Sequence, residues 1–224
     1  KVRRKSIDET YELVVGKVST ARNHCNEMVV PLQERVSPGR LINLVVRAFN
    51  DGIAFRYEFP EQEGWNSYVM YDEKTQFRLS GNPMALLMYL PGYINTHEGV
   101  YTHTGYDKIA KKRLIEMPVT LEFENGVFMS ITEAAIRDYA GMYLVKEKDA
   151  FAGKLSPRLG QEKIKVEINE FPHRTPWRVI SVSDRIGGLL ETNILTSLNE
   201  PCKIEDTSWT VSYTHLRAHE TLSD

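Results

Sequence analysis

The chain contains only two cysteines, Cys25 and Cys202, among 224 residues. Two cysteines are too few for a disulfide-rich scaffold or a cysteine-based metal framework. Either one long-range disulfide or two free thiols would satisfy the sequence. Long apolar runs are also missing: a membrane-spanning helix needs ~20 apolar residues, and the longest run, Met84–Leu90, is far shorter. The sequence therefore predicts no transmembrane helix and no membrane partner.

Charge of one sign is not in excess either. The formal net charge is −2, and the sequence has no basic tract, so we do not expect nucleic acid as a partner. Hydrophobic residues make up 42% of the chain, which excludes a disordered polypeptide. No G-x-S-x-G, P-loop, G-x-G-x-x-G or C-x-x-C motif is present. The sequence motifs alone thus identify no catalytic residue.

Apolar and polar residues alternate with a period of two over most of the chain, which predicts antiparallel strands. Residues 41–49 and 53–59 form one hairpin with such alternation. A two-residue Asp51-Gly52 turn of type I′ would place Val46 opposite Tyr57 and make one face apolar. A loop longer by one residue would move side chains to the wrong face.

A second hairpin surrounds Asn125-Gly126. Here a two-residue loop would place charged residues opposite apolar ones, whereas the three-residue loop 124–126 pairs Leu121 with Met129. The alternation therefore predicts a left-handed Gly126 and a bulged turn.

Further strands are predicted at 28–33, 69–71, 163–168 and 177–183, and a short helix at 107–114. Many antiparallel strands without internal repeats indicate a β-sandwich. Residues 210–224 (TVSYTHLRAHETLSD) have neither a period nor a turn signature, and they resemble a translated sequencing-adapter tail. We expect this tail to be non-native and disordered, and the domain to occupy residues 1–209.

One acidic residue falls on an apolar face. Glu133 continues the parity of Met129 and Ile131. Since burying an unpaired carboxylate is unfavourable, two interpretations stay open. Either the strand ends at Thr132 and Glu133 is solvated, or the carboxylate is held for a cation or a sugar.

Several segments together resemble the amino-terminal domain of glycoside hydrolase family 97, which includes SusB-like α-glucosidases and related α-galactosidases. They follow the family's order across nearly all of residues 1–209: 7–12 (IDETYE), 22–27 (RNHCNE), 47–57 (RAFNDGIAFRY), 130–134 (SITEA), 139–144 (YAGMYL), 175–180 (TPWRVI) and 198–209 (LNEPCKIEDTSW). Each segment is weak alone, and the ordered set is specific.

The resemblance implies an all-β fold, an antiparallel β-super-sandwich of the galactose-mutarotase type, packed against a catalytic (β/α)8 barrel. In such enzymes the barrel carries the catalytic carboxyl groups, and the super-sandwich lends one glutamate to a calcium ion. The ITEA segment matches that glutamate, so the resemblance makes Glu133 the expected calcium ligand. By approximate spacing, Lys154, Leu155 and Ser156 are expected near an α-linked oligosaccharide substrate.

The similarity stops at Trp209, and the first strands of the super-sandwich also have no counterpart. We therefore expect a fragment of an α-glucosidase or α-galactosidase that is inactive alone, because glycoside hydrolysis needs two carboxyl groups flanking one bond. The parent is expected to be periplasmic or secreted. A stand-alone, non-catalytic carbohydrate-binding β-sandwich remains the alternative.

Overall fold

The computed structural model describes residues 1–210, which form sixteen strands and three short helical segments. The strands are β1 (Arg3–Glu12), β2 (Thr20–Gln33), β3 (Leu41–Phe49), β4 (Gly52–Phe59), β5 (Tyr68–Met70), β6 (Gln76–Arg78), β7 (Met84–Leu90), β8 (Tyr101–Gly105), β9 (Leu114–Ile115), β10 (Val119–Glu122), β11 (Phe128–Ala134), β12 (Met142–Glu147), β13 (Ala150–Leu155), β14 (Val166–Ile168), β15 (His173–Arg174) and β16 (Trp177–Ser183). A 3-10 helix covers Tyr106–Lys108, and the α-helices are α1 (Gly188–Glu191) and α2 (Ile194–Leu198).

The strands pair antiparallel in the order β1-β2-β3-β4-β16-β11-β10-β7-β9-β12-β13-β6, with β15 beside β4 and β8 beside β7. Strands β14 and β5 form a separate pair. The long sheet folds over at β7, whose first residues pair with β10 and whose last two residues pair with β9. The fold class predicted from the sequence, an all-β antiparallel sandwich, is confirmed.

Two apolar clusters lie on opposite faces of the first half of the sheet. The main core is enclosed between the two halves, and it includes Leu121 and Ile131 from one half and Leu144 and Phe151 from the other. The smaller cluster lies on the outer face, where α2 covers Val45, Ala54, Trp177 and Val179. Both faces of this part of the sheet therefore bury apolar surface, and successive residues along a strand face different clusters.

The first hairpin turns at Asn50 and Asp51, because Phe49 pairs with Gly52. The prediction of an Asp51-Gly52 turn is wrong. Neither turn residue has a positive φ, so the turn is not type I′, which requires positive φ at both positions. Relative to the prediction, β4 is displaced by two residues along β3.

This displacement keeps every side chain on its predicted face: Val46 lies opposite Phe55 rather than Tyr57. Alternation has a period of two, so the apolar pattern cannot distinguish two registers that differ by two residues. The close approach of β16 distinguishes them, because a Cβ on Gly52 would overlap the carbonyl oxygen of Ile180. Glycine is therefore required in the strand, not in the turn.

The second hairpin confirms its prediction. Leu121 pairs with Met129 and Val119 with Ile131. The Phe123 N–H donates to the carbonyl oxygen of Val127 at 2.9 Å, and Gly126 has a φ of 79°. Here the competing loops differed by one residue, so the apolar pattern could select between them.

The remaining predictions have mixed outcomes. The strand at Trp177–Ser183 has the predicted bounds, and the strands at 28–33, 69–71 and 163–168 overlap β2, β5 and β14. The helix predicted at 107–114 is wrong, since only the 3-10 turn Tyr106–Lys108 precedes β9. Both cysteines are free, Cys25 buried and Cys202 exposed.

The predicted tail, 210–224, lies outside the described residues except for Thr210. Among the helices of residues 1–210, none is long and apolar enough to cross a membrane.

Candidate functional site

Glu133 lies inside strand β11, which continues to Ala134, so the interpretation of a solvated strand end is wrong. Its side chain is 11% exposed. The antiparallel register with β16 places Arg178 directly opposite Glu133, and Arg178 Nη1 donates to Glu133 Oε2 at 2.5 Å. The carboxylate predicted from the apolar parity is thus buried and paired.

Arg178 also binds a second carboxylate, Glu73, which comes from the segment between β5 and β6. Its Nε donates to Glu73 Oε1 at 2.9 Å and its Nη2 to Glu73 Oε2 at 2.5 Å. The Thr75 and Tyr139 hydroxyls donate to the same carboxylate at 2.6 and 3.1 Å. With Arg178 only 1% exposed, this is a buried ion triad of one guanidinium and two carboxylates.

The two carboxylates of the triad differ in their protonation equilibria. Burial opposes ionisation of both, but at Glu73 the hydrogen bonds and charge of Arg178 outweigh it, so the pKa of Glu73 lies below its ordinary value. At Glu133 burial dominates and raises the pKa, although Arg178 and the Met142 N–H act in the opposite direction. Burial also raises the pKa of the Tyr139 hydroxyl. Glu73 is therefore the firm counter-ion of Arg178, and Glu133 is the less stabilised anion.

The second oxygen of Glu133 connects it to the other predicted residues. The Met142 N–H donates to Glu133 Oε1 at 3.0 Å, and Met142 pairs with Leu155 across β12 and β13. The Ser156 N–H donates to the carbonyl oxygen of Gly141 at 2.9 Å. The fold thus places Glu133 and the segment 154–156 on either side of the first residues of β12.

The three residues predicted near a substrate have different environments. Lys154 is about one-third exposed, and its Nζ lies 3.3 Å from Asp72 Oδ2 and 3.6 Å from Glu147 Oε1. Leu155 is fully buried in the main core, so its side chain does not reach the surface. Ser156 lines an open cleft of about 400 Å³ that also includes Gly141.

Sequence reasoning did not find Arg178 or Glu73. A signal existed for Arg178, because it shares the parity of the apolar residues Ile180 and Val182, and Ile180 packs against the main core. Glu73 had no such signal, since it lies in an irregular segment 105 residues away from its partner in the chain.

The two carboxylates of the triad are not the catalytic pair of a glycosidase. Arg178 binds both of them and occupies the space in which the glycosidic bond of a substrate would have to lie. Nor does the triad form a complete metal site: within residues 1–210, no group of three or more His, Cys, Asp or Glu side chains is arranged to hold a metal ion. Glu133 could serve as one ligand of a site completed by other groups, and that role stays a prediction.

Residues 1–201 match the model of the family described as "Glycosyl-hydrolase 97 N-terminal". The chain is 25% identical to a retaining α-galactosidase of Bacteroides thetaiotaomicron, over 92% of the chain and 34% of that enzyme. It is 26% identical to a probable retaining α-galactosidase of Streptomyces bingchenggensis, over 92% of the chain and 30% of that protein.

Among solved structures, a glycoside hydrolase family 97 enzyme from Pseudoalteromonas sp. strain K8, in complex with acarbose, superposes with a TM-score of 0.83. That match has 31% identity and covers 93% of this chain and 31% of the enzyme. A β-arabinopyranosidase shares the fold, with a TM-score of 0.68 and 21% identity over 83% of this chain and 31% of that one. The chain spans about a third of the length of these relatives. Together with the antiparallel sandwich, these matches show that the chain belongs to the family of glycoside hydrolase family 97 N-terminal domains.

Proposed function

We propose that this chain is the N-terminal domain of a larger, exo-acting α-glycosidase, an α-galactosidase or an α-glucosidase that degrades oligosaccharides. The family match over residues 1–201 carries this proposal. Two relatives are named as retaining or probable retaining α-galactosidases, and the Pseudoalteromonas enzyme was solved with acarbose and a variant of it with panose. The domain would pack against a catalytic barrel supplied by the rest of the parent, which we expect to be periplasmic or secreted.

Within that parent, we propose Glu133 as one ligand of a calcium ion. Its donor chemistry fits, since Ca²⁺ prefers carboxylate oxygens, and its side chain retains 11% exposure. Ca²⁺ takes 6–8 oxygen ligands, which Glu133 alone does not supply, so the remaining ligands would come from the barrel. When bound, the cation would stabilise negative charge at the active site, and Glu133 would hold it there.

The triad supports this role because Arg178 does not depend on Glu133 alone. Glu73 engages Arg178 through two hydrogen bonds and is its firmer counter-ion. Glu133 Oε2 can therefore turn towards a cation without leaving a buried guanidinium unpaired, which would otherwise be strongly unfavourable. The Met142 N–H would keep Glu133 Oε1 in place meanwhile.

Lys154 and Ser156 are proposed to lie beside an α-linked oligosaccharide. Both reach the surface, and they border different openings: Ser156 the cleft at Gly141, and Lys154 a cavity of about 570 Å³ that also includes Tyr93. Leu155 would act only through the backbone, since its side chain lies in the core.

The experiment begins with the genomic DNA downstream of the Trp209 codon. A continuing frame that encodes a barrel supports the enzyme, and a genuine stop supports the stand-alone carbohydrate-binding sandwich. In the parent enzyme, Glu133→Gln preserves side-chain shape and removes one negative ligand charge. We expect its calcium affinity to fall at least about tenfold, because even changes to groups that only support a ligand typically reduce metal affinity 10–100-fold.

Hydrolysis of aryl α-galactoside and aryl α-glucoside is then measured across a calcium titration, with calcium affinity measured separately by calorimetry. Glu191→Gln is the matched control, since Glu191 is an exposed carboxylate paired with Arg185, and it lies outside the cleft that Ser156 lines. If Glu133→Gln and the control both bind calcium like the wild type, Glu133 is not a ligand. The 224-residue chain alone is expected to hydrolyse neither substrate.

A further inference from the structure

A second concave site lies on the outer face of the sheet. In the register of β1 to β4, Arg3 is aligned with Val29, Val45 and Arg56, and Lys5 with Glu27, Arg47 and Ala54. Cross-strand neighbours point to the same face, here the face of the smaller cluster. A cleft of about 430 Å³ opens there, and five cationic side chains of this face line it: Arg3, Lys5, Arg47, Arg56 and Arg174.

The two carboxylates in the cleft do not balance these charges. Glu27 is shared by Lys5 at 3.2 Å and Arg47 at 2.8 Å. Glu58 is shared by Arg56 at 2.6 Å and Arg174 at 3.4 Å. The cleft therefore carries an excess of three positive charges in a chain whose formal net charge is −2. Such a concentration of charge in a concavity attracts anions.

The arginines at the floor of the cleft are held in place. The guanidinium of Arg56 lies 4.3 Å from the centre of the Trp177 ring, and that of Arg47 lies 4.9 Å from it. Trp177 is itself buried, so one indole ring supports both groups. Fixed guanidinium forks match the geometry of phosphate and carboxylate oxygens and lose little freedom on binding them.

Arg56 also has unused hydrogen-bonding capacity. Its side chain is only 13% exposed, and its Nε is buried without a hydrogen-bond partner among residues 1–210. Burial lowers the pKa of Arg56; Glu58 acts in the opposite direction, and the nearby charges of Arg174 and Arg47 add to the lowering. An oxyanion in the cleft would relieve the repulsion among these cations.

We propose that this cleft binds a compact polyanion, a small molecule that carries phosphate, sulfate or carboxylate groups. Its volume is in the range of small-molecule sites, roughly 300–1,000 Å³. The cleft lies on the face opposite to Glu133, since Arg178 and Phe55 share the inner-facing row and Arg56 does not. The proposal is therefore independent of the calcium and glycosidase proposals.

The test is isothermal titration calorimetry of the 224-residue chain with pyrophosphate and with citrate, at 50 mM NaCl and again at 150 mM. We expect a saturable one-to-one isotherm for at least one of them, and a bound polyanion should raise the thermal midpoint. Arg174→Gln and Lys5→Gln change partly exposed side chains, and each should weaken binding about tenfold.

Arg185→Gln is the matched control, because Arg185 is a similarly exposed arginine in the Arg185–Glu191 pair, outside the cleft. It should bind like the wild type, and so should Glu133→Gln. The proposal is overturned if neither anion saturates the chain below about 10 mM, or if Arg185→Gln weakens binding as much as Arg174→Gln. Equal weakening by Arg185→Gln would mean that the anions are attracted to exposed cations in general and not bound in the cleft. Salt screens such an attraction at every exposed cation alike.

Discussion

Replacement of Arg178 by methionine tests whether the buried triad stabilises this fold. Methionine is unbranched and uncharged and has a similar volume, so Arg178→Met removes the guanidinium while filling most of its space. Glu73 and Glu133 would remain, 7% and 11% exposed, without their shared cation. Glu73 would keep the hydroxyls of Thr75 and Tyr139, and Glu133 would keep only the Met142 N–H.

Removal of one partner from a buried ion pair typically costs about 3–5 kcal/mol, because a buried charge is left uncompensated. Two carboxylates share Arg178, so we expect a loss in the upper part of that range at pH 8. The variant can reduce this loss of stability by protonating Glu73 or Glu133. Each unit by which the pKa of that carboxyl group rises corresponds to about 1.4 kcal/mol. The loss should therefore be smaller at pH 5 than at pH 8, since protons are then more available.

Urea unfolding followed by circular dichroism gives the free energy of unfolding at both pH values. Arg185→Met is the control, because it breaks the Arg185–Glu191 pair, whose side chains are 60% and 63% exposed. Exposed pairs typically contribute 0–1 kcal/mol. The reasoning is refuted if Arg178→Met loses less than about 1 kcal/mol at pH 8, or if its loss is independent of pH.

Two further predictions concern the backbone and a half-buried histidine. Gly52→Ala should reduce the free energy of unfolding by about 1–3 kcal/mol in the same urea assay, because its Cβ would overlap the carbonyl oxygen of Ile180. Gly92 has open space around it, so the control Gly92→Ala should stay within about 0.5 kcal/mol of wild type. Burial lowers the pKa of His173, so its imidazole should titrate below ~6.5 in NMR spectra. The stability that depends on the neutral imidazole is present above pH ~6.5 and is lost as the pH falls through the lowered pKa. A titration midpoint at or above ~6.5 would contradict this prediction.

The sequence determined which side of each strand faces which environment. Alternation of apolar residues fixes side-chain parity, and any one-residue error would expose the core, so the three-residue loop at Gly126 followed from the pattern alone. The same parity placed Glu133 on the apolar face, and the SITEA segment connected it with a known family.

Parity could not determine the register of the first hairpin, because a two-residue displacement leaves both faces unchanged. Only the packing of β16 against β4 decides it, since the backbone of Ile180 leaves no space for a side chain at Gly52. Weakly periodic segments were also misassigned: 107–114 becomes a short turn and a strand because β9 pairs with β7 and β12.

The charged groups depended most on tertiary structure. The net charge of −2 gave no indication of a basic cleft, because Lys5, Arg47, Arg56 and Arg174 come from four strands that only the folded sheet aligns. Likewise, the sequence indicated that a carboxylate at Glu133 needs a partner if the strand continues past Thr132. The physical reason why it could not name that partner is distance along the chain: ion pairs form through space, and local patterns report only on neighbours within a few residues.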